Sequence, residues 1–262
     1  MLDTVNGTMI SQFVQGSLNN MWGSSFESKL DNVRMLCTDS VVYMISAGRI
    51  LKSTFPKMLH FTCLAHALNF VAGQIRKENP YVDSVISNMK KVFLKAPKRI
   101  KIIKEMCPDL PLPPAPVITR WGTWLDAAFY YAKHFDEIKS VLSVLNSQEA
   151  KSIENALKKF NNNYNIKDDL SRIYEHFSII PTALTSLQKP DLSLMESFEI
   201  FDAVRLALRW ANCENLEDKM EKVMDGLGTC DLDTIRNKNF FLPALMTRRR
   251  KCINLLTSPQ LT

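Results

Sequence analysis

Apolar residues recur at helical spacing near the start of the chain. Val5, Met9, Ile10, Phe13, Val14, Leu18 and Met21 fall on one side of a 3.6-residue turn and predict a helix over 4–22. The run Asn32-Val33-Arg34-Met35-Leu36-Cys37-Thr38 is too short for a helix and predicts a buried strand over 32–38 that ends at Asp39. A helix over 41–53 follows, Pro56 breaks the chain, and Met58-Leu59-His60-Phe61 predicts a second short strand. Cys63 to Lys77 reads as a helix with Leu64, Leu68, Val71 and Ile75 on one face. Further along, the 3.6 period dominates and predicts helices over 121–145, 149–160, 167–187, 194–212 and 215–226. Leu170, Ile173, Phe177, Ile180 and Leu184 form one stripe, and Leu216, Met220, Val223 and Leu227 another. Asn161-Asn162-Asn163 and Lys189-Pro190-Asp191 interrupt the pattern, as turn residues do. Such stripes build cores and say nothing about function.

The change of pattern coincides with a proline cluster. Pro108, Pro111, Pro113, Pro114 and Pro116 lie within nine residues. Proline removes a backbone donor and drives its predecessor out of the helical region, so this stretch predicts an extended, semi-rigid connector. Three parts result: an α/β unit over 1–107, a connector over 108–118 and a helical domain over 119–262. The expected fold class is α/β followed by mainly α.

Charge sharpens that division. Residues 1–107 carry 14 Lys+Arg against 7 Asp+Glu, residues 108–247 carry 15 against 20, and Arg248, Arg249, Arg250 and Lys251 add a basic terminus. A basic front suits a polyanionic partner, though weakly at this size. The 46% hydrophobic and 23% charged content is that of a globular protein and excludes a wholly disordered chain. No apolar run approaches the ~20 residues of a membrane span, so no membrane partner is expected. The opening MLDTVNGTMI places an acid where a secretory signal wants a basic region. Six scattered cysteines then read as reduced intracellular thiols rather than a disulfide framework.

Glycine-rich phosphate loops, G-x-S-x-G, H-E-x-x-H and C-x-x-C are all missing from the sequence, so no small-molecule cofactor is expected. Two local features could carry chemistry. Asp39 closes an apolar strand, where a carboxylate can hold a hard divalent cation at a sheet edge; it also precedes a helix, where it would simply cap the N-terminus. Cys63 and His66 stand three apart on one helix face and could share a zinc ion, but a structural zinc site needs four ligands and no second pair has suitable spacing, so packing is the simpler role. A third feature is electrostatic. Lys90, Lys91, Lys95, Lys98, Arg99, Lys101 and Lys104 occupy 90–104 with no acid among them, and Val92, Phe93, Ile100 and Ile103 supply an anchoring face. Such a stretch is either a solvated surface or a track for a phosphate backbone.

Taken together, three segments resemble the hAT superfamily of DNA transposases: C-T-D-S-V-V-Y-M, then C-L-A-H-A-L-N-F, then T-R-W-G-T-W-L beyond the linker. The resemblance covers residues 30–130 by motif and the rest by helical character. It implies an RNase H-like catalytic unit with a helical insertion. It also implies that Asp39 corresponds to the second catalytic aspartate, a metal ligand in that family. Cys63 and His66 correspond to a C/D-x-x-H pair that handles transposon ends. Arg120 and Trp121 correspond to an Arg-Trp motif whose tryptophan stacks on a flipped base; Trp121 and Trp124 could equally be helix-to-core anchors.

The departures decide what activity is expected. The family's first aspartate lies on a strand before the first helix, and Asp3 stands in the wrong context to replace it. Glu196, Glu199, Glu214 and Glu217 lie in the helical part, and none carries a motif marking it as the third catalytic residue. The family's dimerisation segment and its N-terminal zinc finger are not recognisable. Two-metal phosphoryl transfer needs oxygen ligands on both cations, which one aspartate cannot provide. The expectation is therefore a catalytically inactive, transposase-derived nuclear protein that interacts with DNA or protein. It would hold no metal, with Mg²⁺ or Mn²⁺ relevant only to a complete site. The alternatives are an active metal-dependent transposase or nuclease fragment, and an unrelated α-rich scaffold.

Overall fold

A computed structural model of the chain describes residues 5–39, 41–117, 122–161, 165–211 and 216. The first helix, α1 (Gly7–Trp22), is started by Asn6, whose side chain accepts from the Met9 amide at 2.9 Å. Two 3-10 turns, Gly23–Ser25 and Glu27–Asn32, lead into strand β1 (Met35–Thr38). Helix α2 (Val42–Thr54) then crosses over to strand β2 (Leu59–Thr62), which pairs with β1 in parallel, Met35 opposite Leu59 and Thr38 opposite Thr62. A parallel pair needs such a crossover. The predicted strand over 32–38 is thus shorter at its front, where Asn32 closes a 3-10 turn, and it is half-buried rather than buried.

Nine α-helices follow among the described residues: α3 (Leu64–Glu78), α4 (Pro80–Phe93), α5 (Pro97–Met106), α6 (Thr123–Lys133), α7 (Phe135–Val144), α8 (Lys151–Asn161), α9 (Ile166–Phe177), α10 (Ile179–Leu187) and α11 (Leu194–Trp210). The protein is mainly helical with one small two-stranded parallel sheet among the described residues. The helix predicted over 215–226 lies outside the described residues.

Two of the predicted helices are each divided in two. The expected 121–145 helix ends at Lys133, because His134 leaves helical geometry (φ −116°, ψ 31°) and the chain restarts at Phe135, whose ring stacks on Phe160 at 5.1 Å. The expected 167–187 helix breaks after Phe177, because Pro181 has no N–H and its ring would strike the carbonyl four residues back. Restarting at Ile179 places Pro181 in a first turn, where no donor is needed. Helices α4 and α5 were not expected from the sequence pattern; each opens on a proline at its first position, Pro80 and Pro97.

The core has two parts. Leu51, Phe55 and Met58 are fully buried and covered by Val14, Leu18, Phe26, Leu30, Val33 and Leu36, which seals α1 and α2 over the strands. Gly7 permits the close α1–α2 approach, since a Cβ there would meet the Ser46 hydroxyl at 2.5 Å. In the helices, single stripes are buried: Val82, Val85, Ile86 and Met89 on α4, Ile138, Val141 and Leu142 on α7, Leu170 and Ile173 on α9. Helices on both sides of the proline stretch pack together, α4 on α8 and α3 on α10. The stretch itself is pinned. Tyr130 donates to the Pro111 carbonyl at 2.6 Å, Lys90 to the Pro116 carbonyl at 2.7 Å, and Thr123 to the Val117 carbonyl at 3.0 Å.

Candidate functional site

The parallel register brings the C-terminal ends of both strands together. Thr38 and Thr62 are paired and buried, Asp39 leaves β1, and Cys63 leaves β2 with its amide donating to the Thr38 carbonyl at 2.7 Å. Cys63 is also the first capping position of α3, so His66 stands one turn further along the same helix. The Thr38 hydroxyl donates to the Asp39 carbonyl at 2.9 Å, which leaves its lone pair to accept from His60 Nε2 at 2.8 Å. The His60 ring sits against α2 at Gly48, where a Cβ would come within 2.0 Å of Nδ1. Only glycine leaves room for that ring. Burial there pushes the His60 imidazole below its ordinary value, which keeps it neutral.

Cys63 sits at the electrostatic centre. Hydrogen bonds from Cys37 and from His66 stabilise its thiolate and bring its pKa down to about 4. Cys37 is pushed the other way, first because its thiol donates to Cys63 and then by desolvation. His66 is raised by its hydrogen bond to Cys63, with the nearby Asp39 charge adding to it. These interactions favour charge on the Cys63 sulfur and the His66 ring together, with a second thiol donating to that sulfur. The sequence reading singled out Cys63, His66 and Asp39 and did not single out Cys37 or His60, which the fold brings to the same strand ends. The signal was in the strand pattern: in a parallel pair Cys37 faces position 61, and position 63 lies on that same face.

Asp39 is half-buried and does not cap α2 directly. Its carboxylate accepts from the Val41 amide at 3.4 Å, a bond between residues two apart that turns the chain into the helix. As a place for Mg²⁺ or Mn²⁺ the strand end fits poorly. Around the one carboxylate stand thiols and imidazoles, which are softer donors than these oxygen-seeking ions take. Among the described residues, no three His, Cys, Asp or Glu side chains are arranged to hold a metal. Of the other acids, Glu196 completes a capping box at α11, accepting from the Ser193 amide at 2.8 Å while its own amide donates to the Ser193 hydroxyl at 3.2 Å. Glu199 is exposed on α11; Glu214 and Glu217 lie outside the described residues.

Arg120 and Trp121 also lie outside the described residues. Trp124 is buried on α6, and its indole N–H donates to Asp83 at 2.9 Å. Asp83 accepts from Arg76 as well, at 2.7 and 3.3 Å, so one carboxylate ties α3, α4 and α6 together. Trp124 is an anchor.

The basic stretch runs from the last turn of α4 through α5. Lys91, Lys95, Lys98, Lys101 and Lys104 are exposed, while Val92, Phe93 and Ile103 are buried beneath them. Lys95 takes a left-handed conformation (φ 55°), which lets α5 start two residues later at Pro97. Lys90 and Arg99 are used internally. Lys90 is bonded to the connector, and Arg99 donates to the Val92 carbonyl at 2.7 Å with Glu149 4.0 Å away. Lys101 has Glu105 one turn on at 3.6 Å. None of the helices is long and apolar enough to cross a membrane among the described residues. No family model matches the chain, and comparison with curated proteins and with solved structures gives no match.

Proposed function

We propose that this chain is a catalytically inactive relative of hAT transposases that acts in the nucleus by holding DNA through its phosphate backbone. Its α/β part would correspond to part of an RNase H-like unit, and its later helices to the helical insertion of that family. The order of the three motifs supports the kinship, together with the β1–α2–β2 crossover that sets Asp39 and Cys63 at neighbouring strand ends. One observation carries the binding reading: five exposed lysines follow one another over 91–104 on a segment whose apolar side is buried. Ammonium groups held on an anchored helix can follow a phosphate backbone without ordering a loose tail, and each neutralised phosphate releases counterions. Inactivity follows from the chemistry of phosphoryl transfer, since Asp39 is the single carboxylate identified in the family pattern. The test is to incubate the full chain with supercoiled plasmid and Mn²⁺ and, in parallel, with a labelled duplex at low salt. Duplex retention without nicking is the expected result. Nicking abolished by Asp39→Ala would establish the active-nuclease alternative instead, and no retention would remove the DNA reading.

A further inference from the structure

The thiol pair at the strand ends is not used by a DNA-holding surface on α5. Cys37 lies in β1 opposite Phe61, and Cys63 follows the end of β2 with its amide bonded to the Thr38 carbonyl at 2.7 Å, so the parallel register sets the two thiols at neighbouring strand ends. Cys37 is exposed, and Cys63 is partly so. His66 stands one turn along α3 from Cys63, the N-cap of that helix, which places a base beside Cys63 rather than Cys37. Two neighbouring thiols, access from solvent and a nearby base are what a peroxide-sensing dithiol needs.

We propose that Cys37 and Cys63 form a reversible redox modification site, oxidised to a disulfide by hydroperoxides. The Cys63 thiolate attacks the terminal peroxide oxygen, the O–O bond breaks, and hydroxide or alkoxide leaves, taking a proton from His66 or solvent. Cys63 is then a sulfenic acid. The Cys37 sulfur attacks it, the S–O bond breaks, and water departs carrying the Cys37 proton. Two electrons pass from the two thiols to one peroxide, and a thiol reductant reverses the reaction. The new bond ties the end of β1 to the start of α3, on the side of the sheet that carries Asp39.

Trypsin separates the two sulfurs, since Cys37 falls in the fragment 35–49 and Cys63 in 58–76, each with one cysteine. The full native chain is treated with one equivalent of hydrogen peroxide, blocked with an alkylating agent and digested without reductant. The expected outcome is joint loss of both fragments and appearance of their sum less two hydrogens, reversed by dithiothreitol. In Cys37→Ser, dimedone should label 58–76 and not accumulate elsewhere. Separate fragments with Cys63 driven to sulfinic acid, or Cys63 linked to Cys107 instead, would overturn the assignment. The wild-type map decides this even if the variant does not fold.

Discussion

The α1–β2 region and the helices α3–α11 are held together in different ways. The helices are secured repeatedly, most by a buried stripe of their own, and by shared polar ties such as Asp83 between Arg76 and Trp124. The α1–β2 region rests on a smaller set, Leu51, Phe55 and Met58, with half-buried strands and half-buried side chains around them. Polar groups crowd its border with α3, where two histidines, two thiols, two threonines and a carboxylate come from the strand ends and the start of that helix. A thin core beside a reactive cluster suits a region that senses, whereas redundant helical packing suits a surface that carries charge.

The sharpest way to break this contrast is Phe55→Ala. Phe55 is fully buried and meets Phe26 edge-on at 6.4 Å, so the change should cost about 3–5 kcal/mol in urea unfolding. Hydrogen exchange should show α1 and α2 losing protection while α6 and α9 keep theirs. Equal loss everywhere would mean that the two regions unfold as one. In the helices, Asp83→Ala leaves the Trp124 indole and Arg76 without their shared acceptor and should cost about 1–3 kcal/mol. Alanine at Asp83 that leaves the unfolding midpoint in place would show the tie to be incidental.

A smaller effect, on reactivity rather than stability, concerns Cys63. Its folded pKa is depressed, so the thiolate persists as pH falls until the folded value, about 4, is reached. Iodoacetamide labelling of fragment 58–76 should therefore stay nearly level between pH 8 and pH 5. The urea-unfolded chain should lose about tenfold per pH unit below ~8.5, the ordinary thiol value. Parallel curves for the folded and unfolded chains would show that Cys37 and His66 do not stabilise the thiolate.

How much of this was legible in the sequence differs between the same two regions. Apolar stripes at 3.6 spacing located most of the helices, because burial of one face is a local property of the chain. Both strands were also found, since Pro56 and Asp39 bracket them. The helix breaks at His134 and Ser178 were missed because stripes run through them; at Ser178 the signal was Pro181, three residues later. Helix α5 was hidden by its lysines, which leave Ile103 as its one buried residue, whereas α4 carries a full stripe, Val82, Val85, Ile86 and Met89, that the sequence reading passed over. At the strand ends, Asp39, Cys63 and His66 stood out by type. Cys37 and His60 did not, because only the parallel register tells which residues of two distant strands share a face. Of the seven basic residues over 90–104, sequence could not separate the five exposed lysines from Lys90 and Arg99, which bond to backbone carbonyls.

That separation defines the decisive measurement. Affinity of the full chain for a duplex, followed by fluorescence anisotropy from low to physiological salt, should fall steeply, with about 0.9 logarithmic units of slope per phosphate contact. Replacing Lys98, Lys101 and Lys104 together with Glu, and leaving the internally bonded Arg99 intact, should weaken binding to all sequences alike and lower the slope by about 2–3. No binding at low salt, or a slope that the triple replacement leaves untouched, would contradict a phosphate-tracking surface on α5.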